Sequence, residues 1–262
     1  MTDTHEYPDF QEDIFILEEI NLNDEFLITG FHGLGGIGYL TTRFIVDMAL
    51  KQNLGKKIGY LLGPKIPPFI EVLDNGSFGF PYELFHVENS LFFLIRLQPL
   101  VEEQPIIAQK LSDFAIKNNL KGFILLGGID RDIFKDNVPP AVYITNSYFR
   151  GYDSILSKLE IPPAPKGILV SGGLALLITY AEHKKIPAIA LFAPTRKGIL
   201  DKNGALKLAK VIISMLNLNI NVKEIERDIK RTEMLLKEIR EKVEKETKKE
   251  SISRSDTFQI FT

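Results

Sequence analysis

From about residue 14 to residue 218, short apolar runs alternate with stretches whose apolar residues recur at helical spacing, and few folds accept that order. Residues 26–29, 57–62, 91–97, 122–128 and 188–193 read as buried strands, most of them closed by glycine or Gly-Pro. Residues 39–50, 107–118, 152–159, 174–183 and 203–216 read as helices. Strands that regularly alternate with helices predict an α/β fold, a largely parallel sheet covered by helices on both faces. Two departures stand out. Residues 69–73 and 82–87 flank Asp74-Asn75-Gly76, which suggests a hairpin insertion or an antiparallel edge. Residues 142–145 continue the extended pattern, and 168–170 run as a further strand into Ser171-Gly172-Gly173.

No linker or change of texture interrupts the chain before residue 220, so residues 1–221 are expected to form one domain. A net charge of −2 provides no basic field for nucleic acid or an anionic membrane surface. Cysteine is absent, which removes disulfides, thiolate metal sites and thiol chemistry. The opening residues lack the regions of a signal peptide, and no apolar run reaches the length of a membrane span. A cytoplasmic protein is the expectation. The lack of Cys and Trp beside abundant Lys, Glu and Ile leans towards a thermophilic source.

From Val222 onward the texture changes. Val222, Ile225, Ile229, Leu236, Ile239 and Val243 keep 3-4 spacing among charged residues, with Thr232 and Glu246 weakening the stripe. The element over 222–250, if helical through Lys249, would be about 42 Å long at 1.5 Å per residue. It would serve as a coiled-coil arm or oligomerisation helix, or pack along its own domain. Residues 251–262 read as a tail that ends Phe258-Gln259-Ile260-Phe261-Thr262. Mobile tails are usually polar, because they bury nothing that offsets their ordering entropy. Either these apolar side chains pack on the protein itself, or they enter a pocket on another protein.

Gly33-Leu34-Gly35-Gly36-Ile37-Gly38 matches G-x-G-x-x-G between a strand and a helix, where a dinucleotide's pyrophosphate would meet free N–H groups. The next strand ends in Gly63-Pro64, not in the acidic residue that would hold a ribose. Tight turns and close helix–sheet contact therefore account better for these glycines. The loop is kept as a possible ligand site through His32, Gly33, Gly35 and Gly38. The four histidines lack metal-site spacing, and no metal or cofactor is expected. Ser171 lacks the flanking glycine of a nucleophile elbow and reads as a helix N-cap. Asp130 and Arg131 sit where open α/β sheets place ligands.

These islands together resemble the archaeal branch of the proteasome assembly chaperone family. The resemblance rests on residues 29–38, Pro64-Lys65-Ile66-Pro67-Pro68-Phe69, Leu126-Gly127-Gly128-Ile129, residues 171–177 and residues 186–191. It implies a sandwich like that of nucleoside phosphorylases, a homo-oligomer, no established catalysis, and the 20S proteasome as partner. Proteasome activators carry C-termini of the form hydrophobic–tyrosine–any residue that dock between α-ring subunits. Ile260-Phe261-Thr262 resembles that form with Phe for Tyr, and Phe258 lies just before it. The expected role is an ATP-independent assembly factor or activator that presents such tails to the α-ring. The alternative is an enzyme of phosphorylase-like fold with a site near His32, Asp130 and Arg131.

Overall fold

Strand and helix boundaries follow the apolar periods closely. In this computed structural model, residues 13–74, 76–135, 137–198 and 200–227 are described, and the chain divides into two units, residues 1–220 and 221–262. In order, the first unit contains β1 (Asp13–Ile16), β2 (Phe26–Gly30), α1 (Ile37–Lys51), β3 (Gly55–Leu62), β4 (Glu71–Val72), β5 (Phe78–Gly79), β6 (Tyr82–Val87) and β7 (Ser90–Ile95). It continues with α2 (Glu103–Lys117), β8 (Gly122–Asp130), β9 (Val142–Thr145), α3 (Asp153–Lys158), α4 (Gly173–His183), β10 (Ala188–Thr195) and α5 (Lys202–Leu216). In the second unit, residues 222–227 are helical.

Eight strands form one sheet in the order β1-β3-β6-β7-β2-β8-β10-β9. Its centre is parallel: β7, β2, β8 and β10 pair in one direction. The flanks are antiparallel, through β1, β3 and β6 on one side and β9 on the other. The architecture is the expected α/β class, with a mixed sheet. β2 and β7 are buried along their whole length, as strands covered on both faces must be.

Side chains alternate across that centre with period two. Leu27, Leu91, Phe93, Phe123, Leu125 and Ala190 join the core under α2 and α4. Their neighbours Ile28, Phe92, Ile124 and Leu191 are equally buried and point to the opposite face, where α1 and α5 pack together. Each such Leu, Ile or Phe side chain contributes roughly 1.5–3 kcal/mol on full burial. Register is thereby fixed, since a one-residue slip would exchange the two faces.

Two local expectations are revised. The hairpin around Gly76 is shorter than residues 69–87: β4 pairs only with β5, while β6 enters the main sheet between β3 and β7. Residues 168–170 form a loop, not a strand. The preceding segment meets β9 in an isolated bridge between Tyr143 and Pro163, and that pairing does not extend to residues 168–170.

Candidate functional site

The glycine-rich loop is built for contact between backbones. A Cβ on Gly30 would lie 2.4 Å from the Gly38 backbone, and one on Gly38 would lie 2.2 Å from the Leu126 carbonyl oxygen. Gly128 is held as tightly, its hypothetical Cβ 2.1 Å from the Leu34 oxygen, and Gly35 (φ +67°) abuts Thr195. Below 3 Å no side chain fits, so these glycines seat α1 on β2 and β8. The Leu200 side chain covers Gly36, and the Asp201 N–H donates to the Gly35 oxygen (2.9 Å). The start of α1 is thus packed against protein, where a dinucleotide site would leave it open to a pyrophosphate. Gly33 alone in the loop has nothing within 4 Å of its hypothetical Cβ.

Gly33 opens on a cleft of about 680 Å³ beyond the C-terminal ends of β2, β8 and β10. From β2 the chain turns through α1 towards β3, whereas from β8 it proceeds to β10 on the other side. Adjacent strands whose connections diverge leave a crevice between them, and open α/β sheets bind ligands there. Phe31, Leu126, Ile144, Leu174 and Phe192 supply apolar walls, and the 164–171 loop closes one side. Polar groups gather at the rim: Gln98, Gln104, Asp130, Ser171 and Lys197. Lys197 Nζ lies 2.9 Å from Asp130 Oδ2, and the Asp132 N–H donates to Oδ1 (3.1 Å). Those two hydrogen bonds, that from Lys197 foremost, hold the Asp130 carboxyl below its usual range. Gly172 caps α4 with φ +74° and makes no side-chain capping bond to the helix start. Ser171 is therefore not the N-cap its position suggests.

A second polar cluster lies on the flank of the sheet. Glu83, buried on β6, accepts from Arg96 Nε at 2.7 Å and sits 3.3 Å from Lys57 Nζ. Arg96 Nη1 also donates to Glu71 Oε2 (2.7 Å), while Arg43 Nη2 donates to Glu71 Oε1 (2.8 Å). Arg43 further engages Asp47 (3.3 Å) and the Tyr39 hydroxyl. Partial burial opposes charge on Glu71, but the two arginines outweigh it and hold its carboxyl below the ordinary value. The network ties the β4–β5 hairpin to α1 and to the segment leaving β7.

His32 belongs to this side. Its ring stacks on Tyr39 with centroids 4.0 Å apart, and its backbone N–H donates to Gln98 Oε1 (3.2 Å). Nδ1 is buried without a hydrogen-bond partner. Burial lowers its pKa to about 4 against an opposing backbone hydrogen bond with Arg96, so the ring is neutral near pH 7.

Asp130 lines the cleft, Arg131 lines a separate groove beside Tyr143 and Leu156, and His32 lines neither. Of the loop residues, Gly33 faces the cleft while Gly35 and Gly38 serve packing. Sequence reading passed over Lys197, Gln98 and Gln104. Lys197 had a usable signal, because it follows the C-terminal end of a central parallel strand. In the second unit Ile225 is buried and Val222 half-buried. Ile229, Leu236, Ile239, Val243, Phe258, Ile260, Phe261 and Thr262 lie outside the described residues. Among the described residues no helix is long and apolar enough to cross a membrane.

The fold recurs in Pyrococcus furiosus PbaA, described as an archaeal homolog of proteasome-assembly chaperone. Its monoclinic crystal form superposes with a TM-score of 0.77 at 20% identity, covering 95% of this chain and all of that one. Pyrococcus furiosus PbaB, described as an archaeal proteasome activator, gives a TM-score of 0.70 at 17% identity over 87% of this chain and 98% of its own. An uncharacterized protein of Methanocaldococcus jannaschii is 23% identical over 224 residues, 84% of each chain. The PAC2 family model matches residues 27–240, which takes in the glycine-packed junction, the cleft and the whole parallel centre: the chain belongs to the PAC2 family.

Proposed function

We propose that this protein binds the 20S proteasome, as an assembly chaperone or activator, through the segment Phe258–Thr262 presented by a homo-oligomer. The observation that carries the reading is the likeness to Pyrococcus furiosus PbaA over 95% of this chain, in a family with a proteasome activator among its similar structures. The sequence Ile260-Phe261-Thr262 adds chemistry suited to an α-ring pocket. Ile260 and Phe261 would each gain roughly 1.5–3 kcal/mol on full burial, before ordering costs. A single segment of this kind binds weakly. The stripe of Val222, Ile225, Ile229, Leu236, Ile239 and Val243 supplies a means of bringing several copies together, which raises their effective concentration at the ring.

Co-sedimentation of the full chain with 20S particles, with and without residues 260–262, tests the reading. The full chain is expected to sediment with the particle and the truncated chain to remain in the supernatant. Equal co-sedimentation of both forms would remove the tail from the account. A truncated chain that has also lost its oligomeric state would shift the role of those residues to assembly.

A further inference from the structure

The cleft has a chemistry of its own, apart from the segment proposed to dock. Its volume of about 680 Å³ lies in the range of small-molecule sites, and its position at the divergence of β2 and β8 is where such sites form in open α/β sheets. Two aromatic rings, Phe31 and Phe192, stand with Leu174 along its apolar wall. The polar end is rich in donors. Lys197 is there, and the Asp130 oxygens nearby are already engaged by Lys197 and by the Asp132 N–H. The first N–H groups of α4 are there too, with no capping side chain at Gly172 and with Gly173 and Leu174 buried. Donors at a helix start have no partner within the helix, and buried ones are costly to leave unpaired. Gly172 brings no side chain to that helix start, and the Phe31 ring packs directly on Gly173, 2.3 Å from where a Cβ would stand.

We propose that this cleft binds a small amphipathic organic anion. Its apolar body lies against Phe31, Leu174 and Phe192, and its carboxylate or phosphate meets the start of α4 beside Lys197. The proposal is independent of proteasome binding and stands or falls separately from it.

The test is fluorescence titration of the full chain with 1-anilinonaphthalene-8-sulfonate, an anion on an aromatic body, followed by displacement. The dye is expected to saturate at about one per chain, as one small-molecule cleft requires. Hexanoate or hexyl phosphate should displace it about ten-fold more effectively than hexanol, and the better of the two acids identifies the head group. Ser171→Asp places a carboxylate at the polar end and should weaken both acids about ten-fold, whereas Ser171→Asn should stay within about two-fold of the parent. Ala164→Phe, which carries a ring into the cleft, should abolish dye binding while leaving the thermal transition in place. Hexanol matching the acids would overturn the anionic assignment. Dye binding unchanged in both Ser171→Asp and Ala164→Phe would overturn the cleft itself.

Discussion

The two sides of the sheet are held to their surroundings by opposite means. Where α1 meets β2 and β8, the contact is backbone against backbone, and Gly30, Gly38 and Gly128 leave no room for a single added carbon. Around β6 and β7 the contact is made by long charged side chains, with Arg96 shared between Glu83 and Glu71. The first arrangement cannot adjust, because displacement on either side meets main chain. The second can, since charges on flexible stems exchange partners. The rigid side carries the cleft, whose geometry must be kept. The adjustable side carries the β4–β5 hairpin and its exposed Val72 and Phe78.

That contrast breaks first at Gly38. Gly38→Ala should cost about 3 kcal/mol or more, at or above the upper end for overpacking, because the clash is with a carbonyl oxygen. Denaturant melts read this directly, and a loss below about 1 kcal/mol would show that the junction yields. Glu83→Ala comes next, at about 2–3 kcal/mol. It strips a buried carboxylate from Arg96, which keeps Glu71 as a partner. The double replacement Glu83→Leu with Arg96→Met should recover most of that loss in the same melts, since paired buried charges contribute little net stability. A double variant as damaged as Glu83→Ala would mean that the network holds more than itself.

A smaller effect separates the sides by pH. His32 has its folded pKa depressed to about 4, so between that value and 6.5 the unfolded chain binds more protons. Its contribution is complete above pH 6.5 and is lost as pH falls towards 4. With partial solvent access discounted, the loss is about 1–2 kcal/mol. Comparing melts of the parent and His32→Asn at pH 7 and 4.5 isolates it. A difference independent of pH would mean that the ring is not kept neutral. Smallest is Asp201→Ala, about 1 kcal/mol, which removes the acceptor for Gly204 N–H at the start of α5 and for the Thr195 hydroxyl at the end of β10. Faster amide exchange in the first turn of α5 would report it.

Much of the fold was legible because it follows local periods. The continuous apolar runs of 26–29, 91–97 and 122–128 became β2, β7 and β8, and the stripe Leu40, Phe44, Met48 became α1. The short β1 was not singled out, and residues 168–170 looked like a strand because apolar runs of three carry no information about available partners. The glycine motif is visible in the sequence, and the backbone contacts at Gly30, Gly38 and Gly128 give it a packing role. The charged network was not legible. Arg43, Glu71, Glu83 and Arg96 are 12 to 53 residues apart in sequence, and only the sheet order brings them together. The cleft was half legible: Gly33 and Asp130 were marked, while Lys197 and the start of α4 needed β10 placed beside β8.

Proteasome binding is tested most directly by the affinity of the full chain for immobilised 20S particles, measured beside Phe261→Ala at equal oligomeric state. Loss of one buried ring per copy, roughly 1.5–3 kcal/mol before avidity, predicts at least about a ten-fold weakening. An unchanged affinity, or no measurable binding by the parent chain, would contradict the account.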